Sequence, residues 1–279
     1  MANKLVFEQF DNLTKFSKAL ERSENVVFRG ESLSSKEERS TWAGTRTYEE
    51  AIDLFNNGWD DKVDEIKKGL VEFEKANEKN VSYQKSRPST SVVGFAPHVP
   101  NAILGLPNSM IMTERTPMKA KAVRLVYNMS MNAGTDADDI LKAGLCVLKI
   151  AYSMEMKGYR VRIDVSPFAA TSSREDAICV VCVKDWRQHI DIKKVAFPIA
   201  NPSMFRRLGF RWLESTANLT DTGYRRGYGR SFEDAKKEKK ILTDAGVLEE
   251  NDYYMNVPLA QKKGFDVNKV AKAIGIKDF

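Results

Sequence analysis

Residues 121–165 read KAVRLVYNMSMNAGTDADDILKAGLCVLKIAYSMEMKGYRVRIDV. An apolar run is followed by a polar loop, a stretch with apolar residues at helical spacing, and a second apolar run. The pattern predicts a strand at 123–127, a helix at 136–156 and a strand at 161–165. Because the crossover is more than about a dozen residues long, we expect parallel strands joined in the right-handed sense. This βαβ unit predicts an α/β fold, and its first strand is apolar enough to be covered on both faces.

Further elements follow this unit. Residues 177–183 predict a third strand, and residues 195–199 predict a fourth. Asn201-Pro202 then predicts the start of a helix, because proline is favoured at the first helical position. Short helices are expected over 247–279. Residues 121–279 are therefore predicted to form an α/β domain with a parallel or mixed sheet flanked by helices.

Composition places the chain among ordinary globular proteins. It has 279 residues, of which 42% are hydrophobic and 29% charged, enough for one large or two ordinary domains. No apolar run approaches the roughly 18 residues of a membrane span, and the N-terminus lacks the apolar core of a signal peptide. Three cysteines do not indicate a disulfide framework. These features predict a cytoplasmic protein with free thiols and no membrane partner.

The net charge of +6 is unevenly distributed. Residues 1–110 contain 15 Lys and Arg against 17 Asp and Glu, a balance of −2, and residues 111–279 contain 29 against 21, a balance of +8. A basic C-terminal region is compatible with a polyanion or an acidic protein as partner, but also with solubility alone.

Residues 1–80 are predicted to form a small helical module. Apolar residues at helical spacing predict helices over 7–20 and 63–73. Val26, Val27 and Phe28 predict a short strand between them. A Pro- and Gly-rich connection over 81–120 should follow, with no regular helix. Within it, the apolar residues of segment 99–110 are expected to lie against the C-terminal domain.

The segment WAGTRTYEEA at 42–51 is the most distinctive part of this module. Thr47 and Glu50 have capping-box spacing, so a helix should begin at Tyr48, and Gly58 is placed to end it. The motif resembles an N-terminal module of uncharacterised proteins encoded by bacteriophages and other mobile elements. The resemblance implies a viral or mobile-element origin and supplies no catalytic residues. Trp42 and Trp59 are predicted to pack against the helix that they bracket, with partner binding as the alternative.

The order of elements after residue 121 resembles the von Willebrand factor A fold. In that family the first strand ends in Asp-x-Ser-x-Ser, whose oxygen atoms hold a divalent cation. Here the corresponding residues are Asn128, Ser130 and Asn132, and the aspartate is absent. We therefore predict a degenerate loop without metal, whose side chains satisfy the local backbone. The family likeness implies protein recognition at this edge, near residues 128–135.

Other chemical groups are isolated in the sequence. Cys179 and Cys182 have metal-pair spacing, but residues three apart in a strand point to opposite faces, so both are interpreted as buried structural cysteines. His98 and His189 have no nucleophile in a recognisable context. A weaker ligand site at the sheet edge would consist of Asp164, Asp185, His189 and Asp191. No catalytic residue and no cofactor is predicted.

A Gly-, Arg- and Tyr-rich loop, GYRRGYGR at 223–230, is the better candidate for binding. Glycines allow close approach of a ligand, arginines pair with phosphates, and tyrosines stack on bases. The Lys/Glu run at 236–240 is compatible with an extended basic surface but is typical of a solvated helix face. The predicted nucleic-acid or anion site consists of Arg206, Arg207, Tyr224, Arg225, Arg226, Tyr228 and Arg230.

The sequence as a whole favours an accessory protein of phage type that works by binding another protein, of the phage or of its host. Virion association is compatible with this prediction. A nucleic-acid-binding protein that uses the arginine loop is the first alternative, and a metal-dependent enzyme is the second. Fold likeness alone is a weak guide to function, so all three remain open at this point.

Overall fold

Six strands form the central sheet of the computed structural model, which describes residues 3–38, 40–77, 87–114, 121–225, 227–232 and 234–276. In chain order the strands are β1 (Lys4–Phe10), β2 (Arg87–Ser91), β3 (Ala96–Pro97), β4 (Met110–Glu114), β5 (Ala122–Asn128), β6 (Arg160–Thr171), β7 (Glu175–Lys184), β8 (Arg230–Ser231) and β9 (Tyr253–Asn256). The central sheet has the order β1-β7-β6-β5-β9, with β8 beside β6. Strands β2, β4 and β3 form a separate antiparallel sheet.

Eleven α-helices are found in the described residues, some between strands and some in succession. They are α1 (Leu13–Leu20), α2 (Ser40–Ala43), α3 (Tyr48–Asn57), α4 (Asp60–Asn77), α5 (Val99–Ile103), α6 (Ala137–Met156), α7 (Ile192–Ala200), α8 (Phe210–Ser215), α9 (Ala235–Asp244), α10 (Val257–Lys262) and α11 (Val267–Ala273). A π-helical turn, Met204–Gly209, leads directly into α8. The predicted start and end of α3 are confirmed: Thr47 Oγ1 accepts a hydrogen bond from Glu50 N, and Gly58 ends the helix with φ of 98°.

The predicted βαβ unit is confirmed. Strands β5 and β6 pair in parallel, with Leu125 opposite Ile163, and α6 connects them. Strand β9 pairs in parallel with the other side of β5, and β1 pairs in parallel with β7, but β6 and β7 are antiparallel. The sheet is therefore mixed. The carboxyl ends of β5, β6 and β9 lie at one edge, and those of β1 and β7 lie at the opposite edge.

Helices cover both faces of the sheet, and the fold class is the predicted α/β. On one face α6 and α7 pack with α1, α3 and α4 into the main core. On the other face α9 covers a smaller core around Val126 and Tyr254. Leu125, Val126 and Tyr127 are all fully buried, which confirms that β5 is covered on both sides. Among the described helices none is long and apolar enough to cross a bilayer.

Two predictions near the N-terminus are wrong. The helix expected over 7–20 is strand β1 followed by α1, because the main chain of β1 pairs with β7 and Asn12 then caps α1, its Oδ1 accepting from Lys15 N at 2.9 Å. The strand expected at Val26–Phe28 is a 3₁₀ turn, which begins where Asn25 Oδ1 accepts from Val27 N at 2.7 Å. In both places a side chain of asparagine fixes a turn that apolar spacing does not reveal.

The fourth strand predicted at 195–199 is also wrong, because this segment is helix α7. Every residue from Val195 to Ala200 is buried. A short run that is apolar on all sides lacks the polar positions that distinguish helical from strand spacing. The three cysteines are free and buried, which agrees with their structural interpretation.

The predicted division into domains at residue 80 falls outside the described residues, which resume at Arg87. The division stays a prediction. Strand β1 is nevertheless part of the central sheet, and residues of α1, α3 and α4 belong to the same core cluster as those of β5 and β6. The N-terminal residues therefore contribute to the core of the α/β fold.

Buried arginines attach the N-terminal region to the stretch that contains the π-helical turn. Arg207 is fully buried, and its guanidinium donates five hydrogen bonds of 2.8–3.1 Å to the Thr45 hydroxyl and to the carbonyls of Ser35, Glu37, Thr45 and Arg46. Arg211 donates to Leu20 O at 3.0 Å and to Arg22 O at 2.6 Å. Two loops that lack regular structure are thereby satisfied by side-chain donors.

We expect Arg207→Met to lower the free energy of unfolding by about 3–5 kcal/mol, because it leaves several buried carbonyls without donors. Urea unfolding followed by circular dichroism measures the change. Arg187→Met is the matched control, because Arg187 is exposed and the same loss of charge there should change stability by less than about 0.5 kcal/mol. Equal stabilities of the two variants would contradict the anchoring role of Arg207.

Candidate functional site

The carboxyl end of β5 is the point at which the connections of the sheet change face. From β5 the chain passes through α6, on the main-core face, to β6. The strand on the other side of β5 is β9, which is reached through α9 on the opposite face. In open α/β sheets such a point leaves a crevice outside the carboxyl ends of the strands, where ligands bind. The loop at 129–136 borders this crevice.

The residues of the predicted degenerate metal loop are used inside the protein. Asn128 Oδ1 accepts from Ser130 N at 2.8 Å, and Asn128 Nδ2 donates to both carboxylate oxygens of Glu238 at 2.8 and 2.9 Å. Ser130 Oγ accepts from Ala169 N at 2.6 Å, whereas Asn132 is exposed. Through these bonds the first two side chains satisfy polar groups of the loop, of β6 and of α9. In the described ranges no cluster of three or more Asp, Glu, His or Cys is arranged to hold a metal.

A cavity of about 140 Å³ lies beside this loop. Its aromatic wall consists of Trp42, Phe168, Phe205, Phe210 and Tyr228. Three polar side chains also line it, namely Ser130, Asn132 and Ser231, and Ser231 Oγ donates to Asn132 Oδ1 at 3.0 Å. Ala133, Gly227 and Gly229 are exposed or half-buried and form the mouth. The cavity is thus mainly aromatic, with one buried polar side chain, Ser130, and two nearer to solvent, Asn132 and Ser231.

Trp42 forms a rigid part of this wall. Its Nε1 donates to Ala133 O at 2.9 Å, and the Arg206 guanidinium lies 4.6 Å from the centre of its ring system. Arg206 in turn donates to the carbonyls of Trp42 and Thr135. Burial lowers the pKa of Arg206 to about 10, so the guanidinium stays protonated at neutral pH. A buried positive charge therefore lies behind one wall of the cavity.

The rim of the cavity has an unusual backbone. Gly227, Tyr228 and Gly229 have φ of 82°, 60° and 83°, and a tyrosine in this left-handed region is strained. Two contacts hold Tyr228 there. Its ring stacks on Phe210 with centroids 4.4 Å apart, and its hydroxyl donates to Glu214 Oε1 at 2.6 Å. The shape of the rim is therefore fixed by the aromatic cluster beneath it.

The two tyrosines predicted to stack on nucleic acid are buried. Tyr224 is fully enclosed, and its hydroxyl donates to Glu175 O at 2.8 Å. Tyr228 lies between Phe28 and Phe210. Neither ring offers an exposed stacking face, which corrects this part of the predicted site. The loop at 223–230 has the composition of a binding loop, but the rings of Tyr224 and Tyr228 attach it to the core.

The predicted arginines divide into two groups. Arg206 and Arg207 are buried and donate to carbonyls, so they are not part of an exposed basic surface. Arg225 and Arg230 are exposed, although Arg225 Nε donates to Val27 O at 2.6 Å. Arg226 lies outside the described residues. The structure therefore places two described members of the predicted site, Arg225 and Arg230, near solvent.

Glu238 is the residue that sequence reasoning missed. It lies within the Lys/Glu run of α9, yet it is fully buried and accepts from Asn128. Burial raises the pKa of its carboxyl group to about 8, and the hydrogen bond from Asn128 opposes part of that rise. A sequence signal exists, because Glu238 stands four residues before the buried Leu242 and so occupies the apolar face of the helix.

The opposite edge of the sheet contains the weaker predicted site. A cleft of about 330 Å³ at the carboxyl ends of β1 and β7 is lined, among other residues, by Asp11, Asp185, His189 and Asp191. Three of the four predicted members therefore lie together. Asp164 does not belong to the cleft: it is buried, and it accepts from Arg124 Nε at 2.6 Å and Arg162 Nε at 2.7 Å. Its role is to pair two arginines on neighbouring strands.

Residues 87–114 form an arm with a small sheet of its own. Strand β4 pairs with both β2 and β3, and helix α5 lies between β3 and β4. The prediction that this region has no regular helix is therefore wrong. His98 caps α5, with Nδ1 accepting from Asn101 N, and Asn101 Nδ2 donates to Asn108 O at 2.8 Å. Local polar side chains thus build the structure that Pro and Gly content argues against.

The arm exposes its apolar side chains, which contradicts the prediction that they lie against the C-terminal domain. The exposed ones are Val92, Val93, Phe95, Val99, Ile103, Leu104, Leu106 and Met112. Phe95 is 73% exposed and Ile103 79%. No Lys, Arg, Asp or Glu occurs between Pro88 and Thr113. A small three-stranded sheet of this kind pairs its strands internally and has too little chain to enclose its own side chains.

The fold and these surfaces define an α/β protein with a projecting apolar arm and a cavity at the switch point of its sheet. A family model described as a domain of unknown function, DUF7192, matches residues 2–278, and the chain belongs to that family. No curated protein and no solved structure matches the chain. The likeness to the von Willebrand factor A fold stays a prediction.

We expect millimolar Mg²⁺ to leave the melting temperature unchanged, because Asn128 Oδ1 and Ser130 Oγ already accept hydrogen bonds from main-chain N–H groups. A cation bound to the native state would raise the melting temperature by mass action. Differential scanning calorimetry with and without Mg²⁺ makes the comparison, with Ca²⁺ as a second cation. A rise of several degrees would identify a metal site that these contacts argue against.

The raised pKa of Glu238 predicts a loss of stability toward alkaline pH. The folded state keeps the proton up to about pH 8, whereas the unfolded chain releases it above about pH 4.5. The contribution is therefore fully present below pH 4.5 and is lost as the pH rises to about 8. Glu238→Gln, which cannot ionise, should lose less stability over this range. Urea unfolding at a series of pH values measures the stability of each variant, and Glu250→Gln, at an exposed position, is the control. Identical pH profiles for wild type and Glu238→Gln would refute the raised pKa of Glu238.

Proposed function

We propose that this protein acts by binding another protein, with the arm at 87–114 as the contact surface. The observation that carries the proposal is the set of eight large apolar side chains that the arm exposes without a charged residue among them. Large apolar side chains exposed in such number on one segment are typical of interaction sites in proteins. The chain as a whole is 29% charged, so an uncharged stretch of this length stands apart from the rest of the surface.

Burial of these side chains would supply the binding energy. Exposed aromatic and aliphatic anchors near the centre of an interface contribute most of the affinity of a complex, and charged residues are depleted there. Phe95 and Ile103 are the most exposed anchors of their types on the arm. Because the arm carries no charge between residues 88 and 113, its burial would require no desolvation of an ion.

The arm is also ordered before it meets a partner. The pairing of Ser89 with Met112 and of Ala96 with Ile111 fixes its sheet, and His98 N donates to Ser109 O at 2.7 Å across the base of α5. A surface that is already folded loses less conformational entropy on binding than a flexible segment. This favours recognition by the arm over a role as a passive connection.

The setting we propose is that of an accessory protein of a phage or mobile element, acting in the cytoplasm of the host cell or in association with the virion. The WAGTRTYEEA resemblance supports this setting. The partner would then be a protein of the phage or of its host. Contact through the arm replaces the loop at 128–135 as the favoured surface, because that loop encloses a cavity and exposes few apolar groups.

A photo-crosslinking amino acid at position 95 tests the proposal in cells that contain the native partner. The same amino acid at exposed position 236, on α9, is the control. We expect a specific protein adduct at 95 and none at 236, identified by mass spectrometry. Equal adducts at both positions, or none, would contradict recognition by the arm.

The purified partner then allows a quantitative test. We expect the double substitution Phe95→Ser and Ile103→Ser to weaken binding by roughly thirtyfold or more, the effect of losing one hot-spot residue. Val26→Ser with Val71→Ser is the matched control, since these are exposed apolar residues outside the arm, 64% and 47% exposed. Both double variants should keep the wild-type melting temperature. Unchanged affinity of the arm variant would exclude the arm as the contact.

A further inference from the structure

We propose that the cavity at the carboxyl end of β5 binds the base of a nucleotide, with the phosphate outside the mouth near Arg230 and Arg225. This inference is independent of the arm. It begins from position: the cavity lies beside the carboxyl end of β5, on the side of β6 and β8, and the connections on either side of β5 pass to opposite faces of the sheet. Open α/β sheets bind ligands at that point.

The size and lining of the cavity select a single planar ring system. Its volume of about 140 Å³ is well below the roughly 300 Å³ at which pockets for larger small molecules begin. Five aromatic side chains line it. The faces of Tyr228 are covered by Phe28 and Phe210, so a base would meet the other rings and the ring edges of this lining, and such contacts suit nucleobases of any identity. Trp42, Phe210 and Tyr228 are held by the stacking and hydrogen bonds described above, so the wall is in place before a ligand arrives.

The polar lining selects a heterocycle over a hydrocarbon side chain. Ser130, Asn132 and Ser231 bring hydroxyl and amide groups to an otherwise aromatic cavity. Within the protein Ser130 Oγ accepts one hydrogen bond and Ser231 Oγ donates one, so each hydroxyl keeps the capacity for another, which a purely apolar ligand would leave unused. A nucleobase has donors and acceptors around its edge and can bond to them while its faces meet the aromatic wall.

The mouth of the cavity suits a phosphate. Arg230 is exposed and stands in the chain between two lining residues, Gly229 and Ser231. Arg225 is exposed in the same loop, and Gly227 and Gly229 carry no side chains to block close approach. Behind the wall, Arg206 is charged and buried, and its Nε has no hydrogen-bond partner in the structure. Guanidinium groups pair readily with phosphate oxygens, and these two arginines belong to the loop that borders the mouth, although Arg225 Nε already donates to Val27 O.

A base joined to a phosphate occurs in a free nucleotide and in single-stranded nucleic acid, and the cavity fits the chemistry common to both. The probes are thymidine, thymidine monophosphate and a short oligothymidylate, titrated into the whole protein by isothermal calorimetry. We expect the monophosphate to bind more tightly than thymidine. Ser231→Phe and Ala133→Trp, both at accessible lining positions, should fill the cavity and weaken each probe roughly tenfold or more, the factor expected from one lost base stack.

Arginine variants test the phosphate. Arg230→Ala should weaken the monophosphate several-fold and leave thymidine unchanged, whereas Arg187→Ala, an exposed arginine at the opposite edge of the sheet, should change neither. Oligothymidylate that binds far more tightly than the monophosphate, with affinity falling steeply as salt rises, would identify a strand as the source. Similar affinities would identify the free nucleotide.

The proposal is overturned if neither the monophosphate nor the oligonucleotide binds at millimolar concentration. It is also overturned if both cavity-filling variants, shown to be folded by an unchanged melting temperature, bind the probes as the wild type does. If one filling variant fails to fold, the other decides. Because Phe95 and Ile103 play no part in the cavity, the arm variants should bind all three probes normally, and failure of one proposal leaves the other intact.

Discussion

The guanidinium of Arg207 determines where the N-terminal region lies. Residues 35–46 contain little regular structure, and four of their carbonyls are satisfied by this one side chain. Arg206 stands next to Arg207 in the π-helical turn. Its guanidinium donates to the carbonyl of Trp42 and lies over the ring of that tryptophan. The WAGTRTYEEA segment, for which partner binding is one interpretation of the sequence, therefore accepts hydrogen bonds from two buried arginines of the same chain. The aromatic wall of the cavity depends on that attachment.

The parts of the fold that could be predicted are those in which local sequence and tertiary packing agree. Strand β5, helix α6 and strand β6 follow one another with clear periodicity, and Thr47 and Gly58 mark a helix by chemistry that needs no partner. Elsewhere the outcome depends on distant partners. Whether Phe7 to Phe10 forms strand or helix is settled by its pairing with β7, 165 residues or more away in the chain. In α7, residues 195–200 are all apolar and buried, so their pattern does not separate helix from strand.

The candidate site was harder to predict, because residue type does not reveal the direction in which a side chain points. Tyr224 and Tyr228 have the composition of a binding loop, yet a left-handed backbone turns Tyr228 toward Phe210. Glu238 shows the reverse case. Its neighbours in the sequence are lysines, which are typical of an exposed helix face, yet the helix directs its carboxyl group inward to Asn128. The position of the cavity, by contrast, follows from the order of strands and helices, which the βαβ pattern partly specified.

The antiparallel pairing of β6 with β7 has a consequence for the whole molecule. It joins two groups of parallel strands that run in opposite directions, so the carboxyl ends of the strands do not all lie at the same edge of the sheet. Loops that follow the carboxyl ends of strands, where α/β proteins bind ligands, emerge from both ends of the sheet. One end has the aromatic cavity, and the other has the cleft lined by Asp11, Asp185 and Asp191. With ten residues in β7 and about 3.3 Å per residue, these ends are separated by about 33 Å. The sheet therefore has a site for a ligand at each end, and two ligands could be bound there without touching each other.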